Sequence, residues 1–236
     1  MAFQPIVNAA DGEVFAYEAL VRGVDGSGAG AVLAQVTDKN RYTFDQQCRV
    51  KAIEVAARLG LAKHGAVLSI NFLPSAVYEP KACIRLTLAA AKRVGFPLNR
   101  LMFEFTENER LDLAHVKNIL GTYRAFGFLT ALDDFGAGYA GLGLLADFQP
   151  DLIKLDMDLI RGIDGDNVRR AIVEAVVRAC AQINVCVIAE GIETEGEAVT
   201  LGELGVELLQ GYLFAKPGFE ALPSPLWPSE ALRRAA

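Results

Sequence analysis

Seven places in the chain put a charged or amide side chain where chemistry on a cation or a phosphate could use it: Glu18, Asn71, Glu104, Asp133 with Asp134, Lys154, Glu190 and Gln210. Three of these stand inside apolar runs, Phe15-Ala16-Tyr17-Glu18-Ala19-Leu20, Phe103-Glu104-Phe105 and Ile153-Lys154-Leu155. An unpaired charge buried in such a run costs several kcal/mol, so these residues need partners. A buried ion-pair network on Lys154 supplies some, but one lysine does not neutralise the five carboxylates of Glu18, Glu104, Asp133, Asp134 and Glu190. Carboxylates joined by an amide oxygen suit hard divalent cations such as Mg²⁺ or Mn²⁺. Histidine is scarce, with only His64 and His115, which argues against a His-held zinc or iron. Taken singly, each polar residue also reads as a helix cap or a solvated loop position, and Asp156 reads equally as a cap or an ion-pair partner. The recurrence of the set is what singles it out.

The elements that must position these residues follow from periodicity. Phe3 to Val7 and Val14 to Leu20 are β-type runs joined by Asn8-Ala9-Ala10-Asp11-Gly12, whose Asp-Gly predicts an antiparallel hairpin. Further strands are expected at Ala66 to Phe72, Leu101 to Phe105, Leu129 to Asp133, Leu152 to Leu155, Val185 to Ala189 and Glu207 to Leu209. Helical periods lie between them at Phe44 to Leu59, Lys81 to Val94, Leu113 to Phe126, Asn167 to Ile183 and Glu195 to Leu204. Eight strands alternating mostly with helices in 236 residues point to an α/β fold, a TIM-like (β/α)₈ barrel with an antiparallel first strand. An open doubly wound sheet is the alternative, because periodicity does not show closure. In a barrel the C-terminal strand ends converge on one mouth, and the polar residues recur at those ends. The tail after Lys216, with Pro217, Pro223, Pro225 and Pro228, reads as irregular structure packed on the outside or as a fraying terminus.

Composition narrows the function classes. Hydrophobic residues are 52% and charged residues 22%, which excludes disordered and fibrous classes. A net charge of -6 offers no general attraction for a DNA or RNA polymer or for an anionic membrane, so an anionic ligand needs local cations or a metal. No apolar stretch is long enough to span a bilayer, and the N-terminus lacks the pattern of a signal peptide. A cytoplasmic location is expected. Cys48, Cys83, Cys180 and Cys186 form no CxxC pair and sit in apolar patterns, which predicts buried thiols.

The motifs, in their order, resemble a known family. Tyr17-Glu18-Ala19-Leu20-Val21-Arg22 carries the Glu-Ala-Leu signature of EAL domains, the cyclic di-GMP phosphodiesterases of bacterial signalling. It keeps company with Phe3-Gln4-Pro5-Ile6-Val7, Ile70-Asn71-Phe72, Phe103-Glu104-Phe105-Thr106-Glu107, Asp133-Asp134-Phe135-Gly136, Ile153-Lys154-Leu155-Asp156, Ala189-Glu190-Gly191-Ile192-Glu193-Thr194 and Gln210-Gly211-Tyr212-Leu213-Phe214. The resemblance runs from Phe3 to about Pro217 and implies a barrel with a reversed first strand.

It implies further that Glu18, Asn71, Glu104 and Asp133 hold one metal ion, with Asp133 and Asp134 reaching a second, the ions being Mg²⁺ or Mn²⁺ at two per site. Lys154 and Glu190, with Glu18, are then the catalytic residues, orienting or activating the attacking water, and Gln210 lies beside it. Gln4, Arg22 and Gln210 are implied as substrate-binding, and Glu107 and Glu193 as loop-stabilising. The implied reaction is metal-dependent hydrolysis of cyclic di-GMP to linear pGpG. The implied organisation is a single domain over 1–236, consistent with one excised from a longer signalling protein, and a homodimer through the barrel is a further expectation.

One departure stands out. The family's loop after the fifth strand commonly has Thr or Ser and then Ser-Ser around its second glycine. Here Asp134-Phe135-Gly136-Ala137-Gly138-Tyr139-Ala140-Gly141 lacks those three hydroxyls, and Asp158 replaces a usual serine. The glycines that permit unusual backbone angles remain. A catalytically weak EAL domain serving as a cyclic di-GMP receptor or protein-interaction module is the alternative from another class. The residues without the resemblance leave a generic metal-dependent hydrolase open as well, since fold does not decide function.

Overall fold

The structure, a computed structural model, describes residues 1–106, 112–137 and 141–228. Its strands are β1 (Ala2–Asn8), β2 (Val14–Leu20), β3 (Val67–Asn71), β4 (Leu101–Thr106), β5 (Leu129–Phe135), β6 (Leu152–Leu155), β7 (Cys186–Ala189), β8 (Leu208–Leu209) and β9 (Gly218–Phe219). The helices are α1 (Ala29–Leu33), α2 (Arg41–Arg58), α3 (Leu61–His64), α4 (Pro80–Cys83), α5 (Arg85–Val94), α6 (Leu113–Ala125), α7 (Gly141–Asp147), α8 (Met157–Ile160), α9 (Asn167–Gln182) and α10 (Glu195–Glu203).

β1 and β2 form the expected hairpin, in which Gly12 takes a left-handed φ of 76° and donates its N–H to Asn8 O at 2.9 Å. From β2 to β8 each strand pairs parallel with the next, and β8 returns to pair antiparallel with β1. The ring closes as a (β/α)₈ barrel with a reversed first strand, and the open sheet is excluded. Of the tail, residues 217–228 are described, and they pack on the outside with β9 adding to β1 at Ala2↔Phe219 and Phe3↔Gly218. Among the described residues no helix is long and apolar enough to cross a membrane.

Side chains alternate between the two faces of a strand, so a barrel sorts each strand into inward and outward residues. Outward residues such as Leu68, Ile70, Phe103, Leu132 and Ile153 pack with Ile53 of α2, Ile119 and Leu120 of α6 and Val173 of α9. Inward, Ile6, Ala16, Val67, Met102, Ala131, Leu152 and Ile188 make a second, separate apolar cluster, with Leu208 against it. Two residues further along every strand toward the mouth, the inward position is polar: Gln4, Glu18, Ser69, Glu104, Asp133, Lys154, Glu190 and Gln210. β1 runs the other way, so there the polar residue precedes the apolar one.

Candidate active site

Lys154 is the hub of this polar layer. Its side chain is 1% exposed, and Nζ lies 3.0 Å from Glu104 Oε2, 3.0 Å from Asp133 Oδ1 and 3.5 Å from Glu18 Oε2, with Glu190 Oε1 also in contact. Four carboxylates therefore surround one ammonium. Glu18 is held at both oxygens: Asn71 Nδ2 donates to Oε1 and Gln210 Nε2 to Oε2, each at 2.8 Å. Ser69 donates its hydroxyl to Glu104. Asn71 stands opposite Glu104 in the β3–β4 register, one inward step beyond Ser69, which brings its amide to the carboxylates.

Asp133 and Asp134 are consecutive, and consecutive strand residues ordinarily face opposite sides. Here the β5–β6 register shifts between Leu132 and Phe135, and Asp134 takes a left-handed φ of 55°. Left-handed backbone at a residue other than glycine is uncommon and clusters at functional sites. The irregularity lets an oxygen of each aspartate and one of Glu190 lie within 4.8 Å of one another. Glu18, Glu104 and Asp133 form a second such group. On the far side, Gly211 brings the ends of β7 and β8 together: a Cβ there would come within 2.0 Å of Ile192 O, and Ile192 N–H donates to Gln210 O at 3.1 Å.

Crowding of like charges in a buried site sets the protonation. Burial raises Glu104 to about 8, with Glu18 and Asp133 adding to it against the pull of Lys154. Burial pushes Asp133 up and Glu190 well up. Asp134 rises to about 6 through burial and the charges of Asp133 and Asp156. Burial also opposes charge on Glu18, but Lys154 and the hydrogen bonds from Gln210 and Asn71 hold it below its usual range. Lys154 is held well above its usual range by the four carboxylates despite burial. Excess negative charge on this scale is relieved by protons or by cations.

The donor set fits divalent cations. Among the described residues, Gln210 Oε1 is a buried acceptor without a hydrogen-bond donor, Asp133 Oδ1 is met only by the shared Lys154 ammonium, and Asn71 spends its amide N–H on Glu18, which leaves its oxygen available. All of these are the oxygen ligands that Mg²⁺ and Mn²⁺ prefer.

Two clefts open over the layer and share Glu18. One of about 240 Å³ is lined by Gln4, Met157, Glu190, Glu193, Gln210 and Tyr212 among others. The other, about 380 Å³ and mostly apolar, reaches past Asn71 and Asp133 to Leu33, Phe44 and Phe72. Of the candidate residues, Gln4, Glu18, Asn71, Glu104, Asp133, Asp134, Lys154, Glu190 and Gln210 are thus brought together. Arg22 lines neither cleft, and its guanidinium bonds Val21 O at 2.8 Å. Glu193 lines the smaller cleft and pairs with Arg161 at 2.9 Å. Glu107 and residues 138–140 of the altered loop lie outside the described residues. Asp156 is a helix cap, accepting from Asp158 N–H at 2.8 Å.

Two contributors are absent from the sequence reading. Ser69 lies two positions before Asn71 on the inward face, a spacing that could have marked it. Asp45 lines the larger cleft, accepts Leu73 N–H at 3.0 Å and pairs at 2.6 Å with fully buried Arg49, four residues on in α2.

Comparison with known proteins agrees with this geometry. The family model described as EAL domain matches residues 1–217. The blue light- and temperature-regulated antirepressor BluF of Escherichia coli is 33% identical over 97% of this chain and 57% of its own length. The probable cyclic di-GMP phosphodiesterase PdeG of the same organism is 28% identical over 91% of this chain and 44% of its own. The chain thus spans about half the length of these curated relatives. Among solved structures, a standalone EAL protein from Vibrio cholerae in its c-di-GMP-bound form is 55% identical, with a TM-score of 0.92, and covers 96% of this chain and 94% of that one. Klebsiella pneumoniae BlrP1 with manganese and cyclic di-GMP is 36% identical, with a TM-score of 0.89, over 96% of this chain and 57% of that one. The chain belongs to the EAL domain family, and it is related to cyclic di-GMP phosphodiesterases.

Proposed function

We propose that the chain is a single metal-dependent phosphodiesterase domain, acting in the cytoplasm, that hydrolyses cyclic di-GMP to linear pGpG. The observation that carries this reading is the polar layer, in which four carboxylates crowd one buried ammonium beside the unsatisfied oxygen of Gln210. Glu18, Asn71, Glu104 and Asp133 would hold one Mg²⁺ or Mn²⁺, and Asp133, Asp134 and Glu190 lie where a second would be shared. When bound, such ions lower the pKa of water and act as Lewis acids on phosphoryl oxygens.

The chain's own residues do the rest. Gln4 and Gln210 bind the nucleotide along the smaller cleft. Glu190, whose carboxyl burial has made more basic, accepts the proton of the attacking water. Lys154 donates a hydrogen bond to that water and to the charge developing on the phosphoryl group. The water oxygen forms a bond to phosphorus as the bond to the ribose 3′ oxygen breaks. That oxygen leaves with the proton that Glu190 took from the water, and the ring opens to pGpG. Production of pGpG by the purified chain tests the reading.

Kinship with an antirepressor favours a second reading, a cyclic di-GMP-responsive interaction module. The intact set from Glu18 to Glu190 supports the enzyme over it.

Metal binding should be coupled to protons. Glu104 near 8 and Asp134 near 6 lie above their ordinary values, so each favours the metal-free fold at low pH and loses that contribution as pH rises through the raised value. Glu104 must be ionised to hold the first ion and Asp134 to hold the second. Mn²⁺ affinity is therefore expected to rise between pH 6 and pH 8.5, with protons released on binding. Calorimetry in buffers of different ionisation enthalpy reads both, and a pH-independent affinity without proton release contradicts the assignment.

A further inference from the structure

β8 is only two residues long and pairs with the lower end of β1, at Val7↔Leu209 and Asn8↔Leu208. β9 pairs with its upper end, at Phe3↔Gly218 and Ala2↔Phe219. Gln4 stands in the gap between these pairings, buried, and crosses it by donating Nε2 to Ala215 O at 3.1 Å. The residue just before that carbonyl, Phe214, is held from beyond the family-matched region, which ends at residue 217. Leu226 N–H donates to Phe214 O at 2.9 Å, and Trp227 meets the Phe214 ring edge-on at 5.4 Å. The same segment is tied down by Tyr17 OH, which donates to Pro223 O at 2.9 Å, and by Glu220, whose N–H donates to Met1 O and whose carboxylate pairs with Arg58 and Lys51 of α2.

We propose that residues 217–227 form a strap that positions the Gln4 amide in the smaller cleft and thereby sets nucleotide affinity without touching the nucleotide. With one Nε2 proton committed to Ala215 O, the Gln4 amide is held in one orientation and keeps its oxygen and its second N–H for the ligand. Glu18, Asn71, Glu104, Asp133 and Asp134 are anchored on β2 to β5 and Glu190 at the end of β7, and none of them bonds to the strap. The strap is a positioning device, and its effect belongs in binding and not in turnover. The affinity part of this inference rests on the cyclic di-GMP reading above.

The test compares the parent with a Tyr17→Phe/Trp227→Ala double variant and with a chain ended after Lys216. The double variant decides the matter if the shortened chain does not fold. Exchange of the Gln4 side-chain amide protons, assigned by their loss in Gln4→Ala, is followed by NMR without nucleotide. Cyclic di-GMP affinity is measured in Ca²⁺ and Mn²⁺ affinity separately. Faster Gln4 exchange is expected, with Kd for the nucleotide raised about tenfold, the scale of one lost hydrogen bond, and Mn²⁺ affinity changed less than about twofold. Trp227→Phe, which keeps a ring against Phe214, should behave as the parent. Unchanged Gln4 exchange in a folded variant overturns the strap, as does loss of metal binding in step with nucleotide binding. A parent that fails to bind cyclic di-GMP overturns the proposed function instead, and the exchange result still decides whether the strap holds Gln4.

Discussion

Lys154→Met is expected to lower kcat for cyclic di-GMP by a factor of about 10² or more, the usual scale for losing a positioned proton-transfer or electrostatic group, while the nucleotide still binds. Lysine is no metal ligand here, so its removal spares the oxygen set and takes away a donor needed as charge develops. The structure adds a second expectation. Without its ammonium, Glu18, Glu104, Asp133 and Glu190 face one another with no cation among them, and breaking a buried ion pair costs about 3–5 kcal/mol where the remaining charge cannot be neutralised. The metal-free variant should therefore melt below the parent and recover when Mn²⁺ is added. Thermal unfolding with and without Mn²⁺, beside a pGpG assay, checks both, and equal turnover in parent and variant removes Lys154 from the mechanism.

Glu18→Gln should abolish metal binding and turnover with the fold retained. The substitution conserves volume but removes a charge that Lys154 faces, and it places a donor where Asn71 Nδ2 and Gln210 Nε2 both donate at 2.8 Å. One of those amides must turn, and turning Asn71 gives up the oxygen that Glu18 leaves available for a cation. Calorimetry with Mn²⁺ and the secondary-structure spectrum separate loss of the site from loss of the fold. Parent-level hydrolysis makes Glu18 structural.

Glu18, Glu104 and Lys154 were legible because a charge inside an apolar strand run is costly and therefore conspicuous. Ser69 was not, since a serine in a strand costs little and shows no partner until Glu104 is folded against it. Asp45 and Arg49 have the spacing of an exposed helical pair, and only the packing of α2 buries both. The left-handed turn at Asp134, which sets where its carboxylate goes, is a property of the backbone that the letters Asp133-Asp134 do not encode. Helices α7 and α8, of seven and four residues, are too short for a period to register. β9 was hidden by the flanking Pro217 and Pro223, which mark breaks without saying that two residues between them add to β1. Arg22 follows the Glu-Ala-Leu motif in sequence, yet its guanidinium folds back on Val21 O and not into either cleft.

The most direct measurement is chromatography of cyclic di-GMP after incubation with the purified chain. The expected product is pGpG with Mn²⁺ or Mg²⁺, little with Ca²⁺, which is larger and binds in looser geometry, and none in excess chelator. Undiminished hydrolysis in chelator contradicts a metal-dependent site, and cyclic di-GMP bound but never opened, with either Mn²⁺ or Mg²⁺ present, contradicts the enzyme and leaves the receptor.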